Sequence, residues 1–264
     1  MCQARFGASE RFTCKVLGQS RSTQRRQAPP VPTAEEILRR ELRSFSKAKP
    51  RCGYRRAAVQ LRKNGFCVNT KKIHRLWRDE NLQVKARRRK RVRGDSTIPE
   101  VRASRPNEVW ALDFQFDSTV DGRSLKMLNG TDEFTREWIV MRMARRCDCD
   151  DLLLELDRAV LDRGAPSYLR MDNGPEFIAA ALRDWCRFSG TGTVFIEPGS
   201  PWQNPFVEAL NARVRDEFLN SNDFYTLMEA KVLASDFRME YNNERPHSSL
   251  GYMTPAEFAA AWKM

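Results

Sequence analysis

Apolar and polar positions along the chain follow one period in its first third and another afterwards. From Glu35 to Phe45, Ile37, Leu38, Leu42 and Phe45 recur at helical spacing, behind Pro32 and a Thr33 placed to cap the helix start. Tyr54 to Lys63 repeats the pattern with Ala57, Ala58 and Leu61, and Gly65 breaks it. Asn69 or Thr70 then caps a second helix that turns Ile73, Leu76 and Trp77 inward and leaves Lys71, Lys72, Arg75 and Arg78 outside. A helix, a short Gly-containing turn and a basic second helix outline a helix-turn-helix, whose second helix suits a major groove. Ser9 to Ser22 reads as the tail of another such unit, too short to stand alone.

Past residue 105 the pattern changes to strands. Glu108 to Phe116 and Trp138 to Met143 are strand-like, with Leu125 to Thr131 between them. Cys149 to Arg163 carries a helical stripe of Leu152, Leu153, Leu156, Val160 and Leu161. A strand at Tyr168 to Met171, a helix around Ile178 to Phe188 and a strand at Thr193 to Ile196 follow. Two further helices fit Pro205 to Leu219 and Leu227 to Tyr241. Three strands together, then alternating helix and strand, predict an α/β fold with a mixed sheet covered by helices.

Charge sharpens this division. The 264 residues hold 46 Lys+Arg and 34 Asp+Glu, a net +12 that points to a polyanionic partner such as nucleic acid. Residues 1–94 hold 27 of the basic and 6 of the acidic residues, leaving 19 and 28 for residues 95–264. A basic half therefore precedes an acidic one. The run from Lys85 to Arg93, with Arg87, Arg88, Arg89, Lys90 and Arg91 at its centre, ends the basic half and reads as a linker in contact with phosphates. The expected organisation is an N-terminal segment at 1–33, a basic helix-turn-helix domain at 34–84, a linker at 85–104 and an α/β core with C-terminal helices at 105–264. No apolar stretch approaches the roughly 20 residues that cross a bilayer, and the first thirty lack the apolar run of a secretory signal. Seven cysteines at irregular spacing argue against a disulfide framework and for a cytoplasmic setting.

Three acids carry candidate chemistry. Asp113 interrupts the otherwise apolar Trp110-Ala111-Leu112-Asp113-Phe114, where an ionised carboxylate is costly unless something positive compensates it. Asp172 opens the turn Asp172-Asn173-Gly174-Pro175 at a strand's carboxyl end, where open α/β sheets bind ligands. Glu208 lies in a helix behind Pro201-Trp202-Gln203-Asn204-Pro205. Acids from two strands and a helix make an all-oxygen site for hard cations such as magnesium. Two such ions clamp the attacking and leaving oxygens of a displacement at phosphorus. With 28 acids in this half, spacing alone is weak, and Asp132 is a competing candidate ligand. Glu176 reads instead as a first-turn helix acid, and Asp117 and Asp121 as turn residues.

Local context lifts the three. The words Arg105-Pro106-Asn107-Glu108-Val109-Trp110, Asp132-Glu133-Phe134-Thr135-Arg136-Glu137, Asp172-Asn173-Gly174-Pro175-Glu176-Phe177, Trp202-Gln203-Asn204 and Tyr241-Asn242-Asn243-Glu244-Arg245-Pro246-His247 occur in that order. With the Pro50-to-Arg56 and Val68-to-Lys72 segments upstream, the chain resembles the second-frame product of IS-three family insertion-sequence transposases. That resemblance implies a ribonuclease-H-like integrase core with Asp113, Asp172 and Glu208 as the DDE triad. It implies two magnesium ions, for which manganese can substitute, and cleavage at element ends followed by strand transfer. Its implied partners are terminal-repeat and target DNA, a first-frame product as fusion or partner, and further copies of the chain on the nucleoid. Arg215, two turns beyond Glu208 on the same helix face, stands where the family places a basic residue that touches terminal DNA.

Cys52, Pro205 and Ala209 depart from the family's usual residues, and no heptad run is present. None of these removes a ligand. His247 reads as a packing residue of its loop, and no GxxxxGKS/T loop suggests ATP. A ribonuclease-H-like nuclease and a non-catalytic, regulatory DNA-binding product remain as alternative functions.

Overall fold

In the computed structural model, which describes residues 7–25, 33–83, 101–197 and 203–262, the described residues up to 83 form helices and no strand. Helices α1 (Glu10–Val16) and α2 (Arg21–Arg25) occupy the Ser9 to Ser22 stretch, with Ser9 accepting from the Phe12 amide at 3.3 Å. Helix α3 (Ala34–Ala48) starts with a reciprocal cap in which Thr33 and Glu36 each accept from the other's amide, at 3.2 and 2.7 Å. Helix α4 (Tyr54–Lys63) stops before Gly65, whose φ of 88° is left-handed and open to glycine. Asn69, and not Thr70, caps α5 (Thr70–Asp79) by accepting from the Lys71 amide at 2.8 Å.

The three longer helices meet on Leu38, Leu42, Ala57, Ala58, Leu61, Ile73, Leu76 and Trp77, with Phe45 edge-on to Trp77 at 6.3 Å. Each large apolar side chain buried there contributes about 1.5–3 kcal/mol. Ile37, expected in this stripe, is only half-buried because Leu38 and Leu42 define the inward face.

The second half is built on one sheet. Strands β1 (Val109–Ser118), β2 (Ser124–Asp132) and β3 (Trp138–Ala144) form an antiparallel meander. Strands β4 (Tyr168–Met171) and β5 (Gly192–Phe195) add in parallel on the other side of β1, giving the order β3-β2-β1-β4-β5. This is the mixed sheet that the sequence pattern predicts. Helices α6 (Cys149–Arg163) and α7 (Ala180–Ser189) cover one face, where Trp110, Leu112, Leu128, Leu152, Leu156 and Leu169 are buried together. Helices α8 (Pro205–Glu217) and α9 (Leu227–Asn243) cover the other, against Leu125, Met127, Trp138 and Met143. Where β1, β2 and β3 stack tightest, a Cβ on Gly130 would stand 2.6 Å from Leu112 and 2.7 Å from Val140.

Several boundaries differ from expectation for identifiable reasons. Leu161 is 89% exposed, because it lies half a turn round α6 from Leu152 and Leu156. Helix α7 begins two residues after Ile178, which is exposed. Glu176 is consequently a turn residue and pairs with Lys126 from β2. A final helix, α10 (Pro255–Trp262), packs Phe258 and Trp262 against Phe134, at ring separations of 5.6 and 4.8 Å.

The basic helices lie against the acidic half through complementary charges. Lys49 meets Glu240 at 2.8 Å, Arg56 meets Glu217 at 3.3 Å and Lys63 meets Glu257 at 2.7 Å. Among the described residues no helix is long and apolar enough to cross a membrane.

Candidate active site

Strand register brings the first two acids together. β1 and β4 run parallel with Ala111 opposite Arg170, and two residues further along each chain stand Asp113 and Asp172. Alternation along β1 puts Asp113 on the Ala111 face, toward α8, and Asp172 stands near enough for its charge to act on Asp113. The β4 strand ends at Met171, so Asp172 opens the following turn, where its Oδ1 accepts from the Gly174 amide at 2.9 Å. Glu208 arrives from the first turn of α8. Pro205 opens that helix without wasting an amide, and the buried Asn204 donates to the Leu112 carbonyl at 3.2 Å, pinning its start over β1.

A polar network fixes Asp113. Its Oδ1 accepts from the Phe114 amide and its Oδ2 from Asn211 Nδ2, both at 2.8 Å. Asn211 Oδ1 accepts in turn from Asn129, the residue paired with Asp113 across β1 and β2, at 2.7 Å. Gln115 Nε2 donates to the Asn211 carbonyl at 3.0 Å. Asn129 is fully buried and Gln115 nearly so, and such groups persist in a core because they are hydrogen-bonded. Sequence reasoning overlooked Asn211, Asn129 and Gln115. The available signal was a polar residue at alternate positions of a strand whose other face is apolar.

The electrostatics set these carboxylates apart. Burial first, then the charge of Asp172, pushes the Asp113 carboxyl up to about 6. Burial and the charge of Asp113 raise Glu208. Neighbouring acids are neutralised: Asp117 by Arg215 at 2.9 Å, Glu137 by Arg163 at 2.6 Å and Glu133 by Arg170 at 3.1 Å. Asp113, Asp172 and Glu208 take part in no ion pair among the described residues. Like-charged oxygen donors placed in register without a cationic side chain fit a hard divalent cation. As the side chains stand, no three His, Cys, Asp or Glu groups among the described residues close around a single metal position.

The other expected positions fall into three groups. Asp132 is buried with its carboxylate accepting from the Asn107, Phe134 and Thr135 amides at 2.7, 2.8 and 2.9 Å, so it shapes a turn and not a metal site. Arg215 does return to the face of Glu208, but its guanidinium is held by Asp117 and the Phe116 carbonyl. On α5, Arg75 and Lys72 lean toward Glu35 at 2.9 and 3.9 Å, while Lys71 and Arg78 are exposed. Arg87, Arg88, Arg89, Lys90, Arg91 and Trp202 lie outside the described residues. His247 packs edge-on to Tyr241 at 5.1 Å.

Comparison with known proteins accords with this architecture. The HTH-like domain family matches residues 33–91, and two integrase core domain families match residues 103–201 and 189–255. The insertion element IS407 31.7 kDa protein of Burkholderia multivorans is 37% identical, over 96% of this chain and 91% of its own length. Transposase InsF for insertion sequence IS3A of Escherichia coli is 25% identical, over 82% of this chain and 80% of its own. In fold, a chain of the simian T-cell lymphotropic virus intasome, solved in complex with PP2A regulatory subunit B56 gamma, matches 84% of this chain and 74% of its own with a TM-score of 0.51 at 15% identity. The mixed sheet and flanking helices described above are this chain's ribonuclease-H-like integrase core. The helix-turn-helix-like domain, the integrase core and the relatives together show that the chain belongs to the insertion-sequence transposases of the IS-three family.

Proposed function

We propose that Asp113, Asp172 and Glu208 are the catalytic triad with which this transposase cuts DNA at the ends of its element and joins them to a target. The parallel register that sets Asp113 beside Asp172, with α8 bringing Glu208 to the same edge, carries the reading. In this reading Asp113, Asp172 and Glu208 would hold two magnesium ions, or manganese in their place. Bound there, the ions supply water activation and charge neutralisation at phosphorus. The chain's own contribution is placement. Asn211 holds the Asp113 carboxylate on the α8 side of the sheet, and Asn204 fixes the origin of α8 on the β1 carbonyl. The nucleophile is water for cleavage and a DNA 3′ hydroxyl for joining, so no covalent protein intermediate is needed.

Sequence-independent affinity comes from the basic half, through Lys71, Lys72, Arg75 and Arg78 of α5 and the run Arg87, Arg88, Arg89, Lys90 and Arg91. Arg215 joins them once DNA displaces it from Asp117. Copies of the chain assemble on paired ends, with the first-frame product as fusion or partner, in the cytoplasm and on the nucleoid. The test is strand joining with element-end DNA and magnesium, comparing wild type with Asp172→Asn. Joined product is expected from the wild type alone; equal product from both sinks the triad.

A further inference from the structure

Helix α8 presents three faces at roughly 120° to one another, as 3.6 residues per turn dictates. Val207, Leu210 and Val214 are buried against the sheet. Glu208, Asn211 and Arg215 turn toward β1, where the last two bond to Asp113 and Asp117. The third face, with Pro205, Phe206, Ala209 and Arg213, forms one wall of an open cleft of about 520 Å³ whose other walls are the loop after α9, from Arg245 to Tyr252, and the start of α4. The cleft and the proposed catalytic edge are therefore neighbours around one helix.

Five arginines from four separate parts of the chain converge on this cleft. Arg55 and Arg56 enter from α4, Arg136 from the turn after β2, Arg213 from α8 and Arg245 from the loop after α9. No acid is among the described residues that line it. Glu217 holds Arg245 at 2.6 Å and Arg56 at 3.3 Å from beneath, fixing both guanidiniums. Arg136 lies over the Phe206 ring at 3.8 Å. Arg55 and Arg213 are exposed. The imidazole of His247 registers the convergence: burial first, then the charges of Arg245, Arg56, Arg136 and Arg213, push it down to about 3. Its Nε2 lacks a hydrogen-bond partner.

Planar guanidinium forks in several orientations match phosphate oxygens. A lone small anion needs one such fork, whereas an open cleft lined by five arginines from four parts of the chain suits consecutive phosphates. A helix with its side chains is about 10–12 Å across, and each strand of duplex DNA advances about 3.4 Å per nucleotide along the duplex axis. A strand held in the cleft thus reaches the catalytic edge in about three nucleotides.

We propose that the cleft between α8, the loop after α9 and the start of α4 is a phosphodiester-backbone site that grips a DNA strand about three nucleotides from the phosphate being cut. The grip follows from the five arginines, and only its distance to the cut rests on the catalytic reading above.

The test separates the two. Full-length Asp172→Asn protein, without divalent metal, is titrated with a duplex carrying the element's terminal repeat across a range of salt. Adding Arg55→Ala and Arg213→Ala, with the unfolding midpoint measured alongside to establish that the variant is folded, is expected to reduce the slope of log affinity against log salt by about 1.8, since each phosphate contact on duplex DNA contributes about 0.9. Lysine at both positions restores the slope. An unchanged slope and affinity overturns the proposal, as does competition by inorganic phosphate alone with no change toward DNA. In the same assay, a neutral methylphosphonate about three nucleotides from the cut weakens the parent protein and has no further effect on the double variant. Equal losses in both proteins at every position also overturn it. No step of this assay requires catalysis, so failure of the triad leaves its outcome readable.

Discussion

Asn211 donates to Asp113 at 2.8 Å from a position three residues beyond Glu208, on the same face of α8. One helix thereby carries both a candidate ligand and the group that orients the carboxylate opposite it. Asn211→Ala removes that donor and leaves the buried Asn129 amide with only its long 3.5 Å bond to Gln115 Oε1, which costs about 1–3 kcal/mol of stability. Because the Asn211 hydrogen bond lowers the Asp113 pKa, the variant raises it further. Its strand-joining rate is expected to fall about tenfold at neutral pH and to recover partly at pH 8, while the unfolding midpoint drops.

Asp113 predicts a pH dependence with a definite sign. Its folded pKa, about 6, lies above the unfolded carboxylate value, so the folded state holds more protons between pH 4 and 6. Without metal, this group's favourable contribution is present below pH 4 and is lost as pH rises through about 6. Asp113→Asn should therefore stabilise the metal-free protein at pH 7 by about 1–3 kcal/mol and change little at pH 4. Chemical denaturation at the two values measures this; destabilisation at pH 7 contradicts it.

Metal binding shows the complementary trend. Ligand carboxylates must be ionised, so apparent magnesium affinity falls about tenfold per pH unit below about 6. Magnesium raises the unfolding midpoint of the wild type, since it binds only the folded state. Neither Asp113→Asn nor Asp172→Asn should respond.

Glu133 and Arg170 meet at 3.1 Å with only 1% of either side chain exposed. Removing one partner strands the other charge, so Arg170→Met is expected to cost about 3–5 kcal/mol. The double variant Glu133→Gln with Arg170→Met recovers most of that loss. Denaturant midpoints of the two single variants and the pair decide it.

Gly130 admits no side chain. A Cβ there would collide with Leu112 and Val140, so Gly130→Ala costs about 1–3 kcal/mol through overpacking. Leu112→Ala in the same protein makes room, and the two losses should be less than additive.

Much of the fold was legible because its elements are locally determined. The Thr33–Glu36 cap, the Gly65 stop and the inward Ile73, Leu76 and Trp77 all follow from neighbouring residues. Asp113 and Asp172 stood out as polar residues at the centre and end of apolar strands. Other features depend on contacts between distant segments and left no local trace. Arg215 lies where the helical period puts it, yet its partner Asp117 is 98 positions away on β1. Glu176 looked like a helix acid because nothing nearby revealed that Lys126, 50 positions earlier, would claim it. The arginine cleft draws on Arg55, Arg56, Arg136, Arg213 and Arg245, which come together only through the folding of the core and the packing of α4 against it.

The claim that Asp113, Asp172 and Glu208 hold metal for DNA joining is tested most directly by changing the ligand atom. Thiolate is a poor ligand for magnesium and a better one for softer ions. Asp172→Cys protein should join element ends to target at background level in magnesium and recover activity in manganese. Full activity in magnesium, or none in either ion from a correctly folded variant that still binds DNA, would contradict the account.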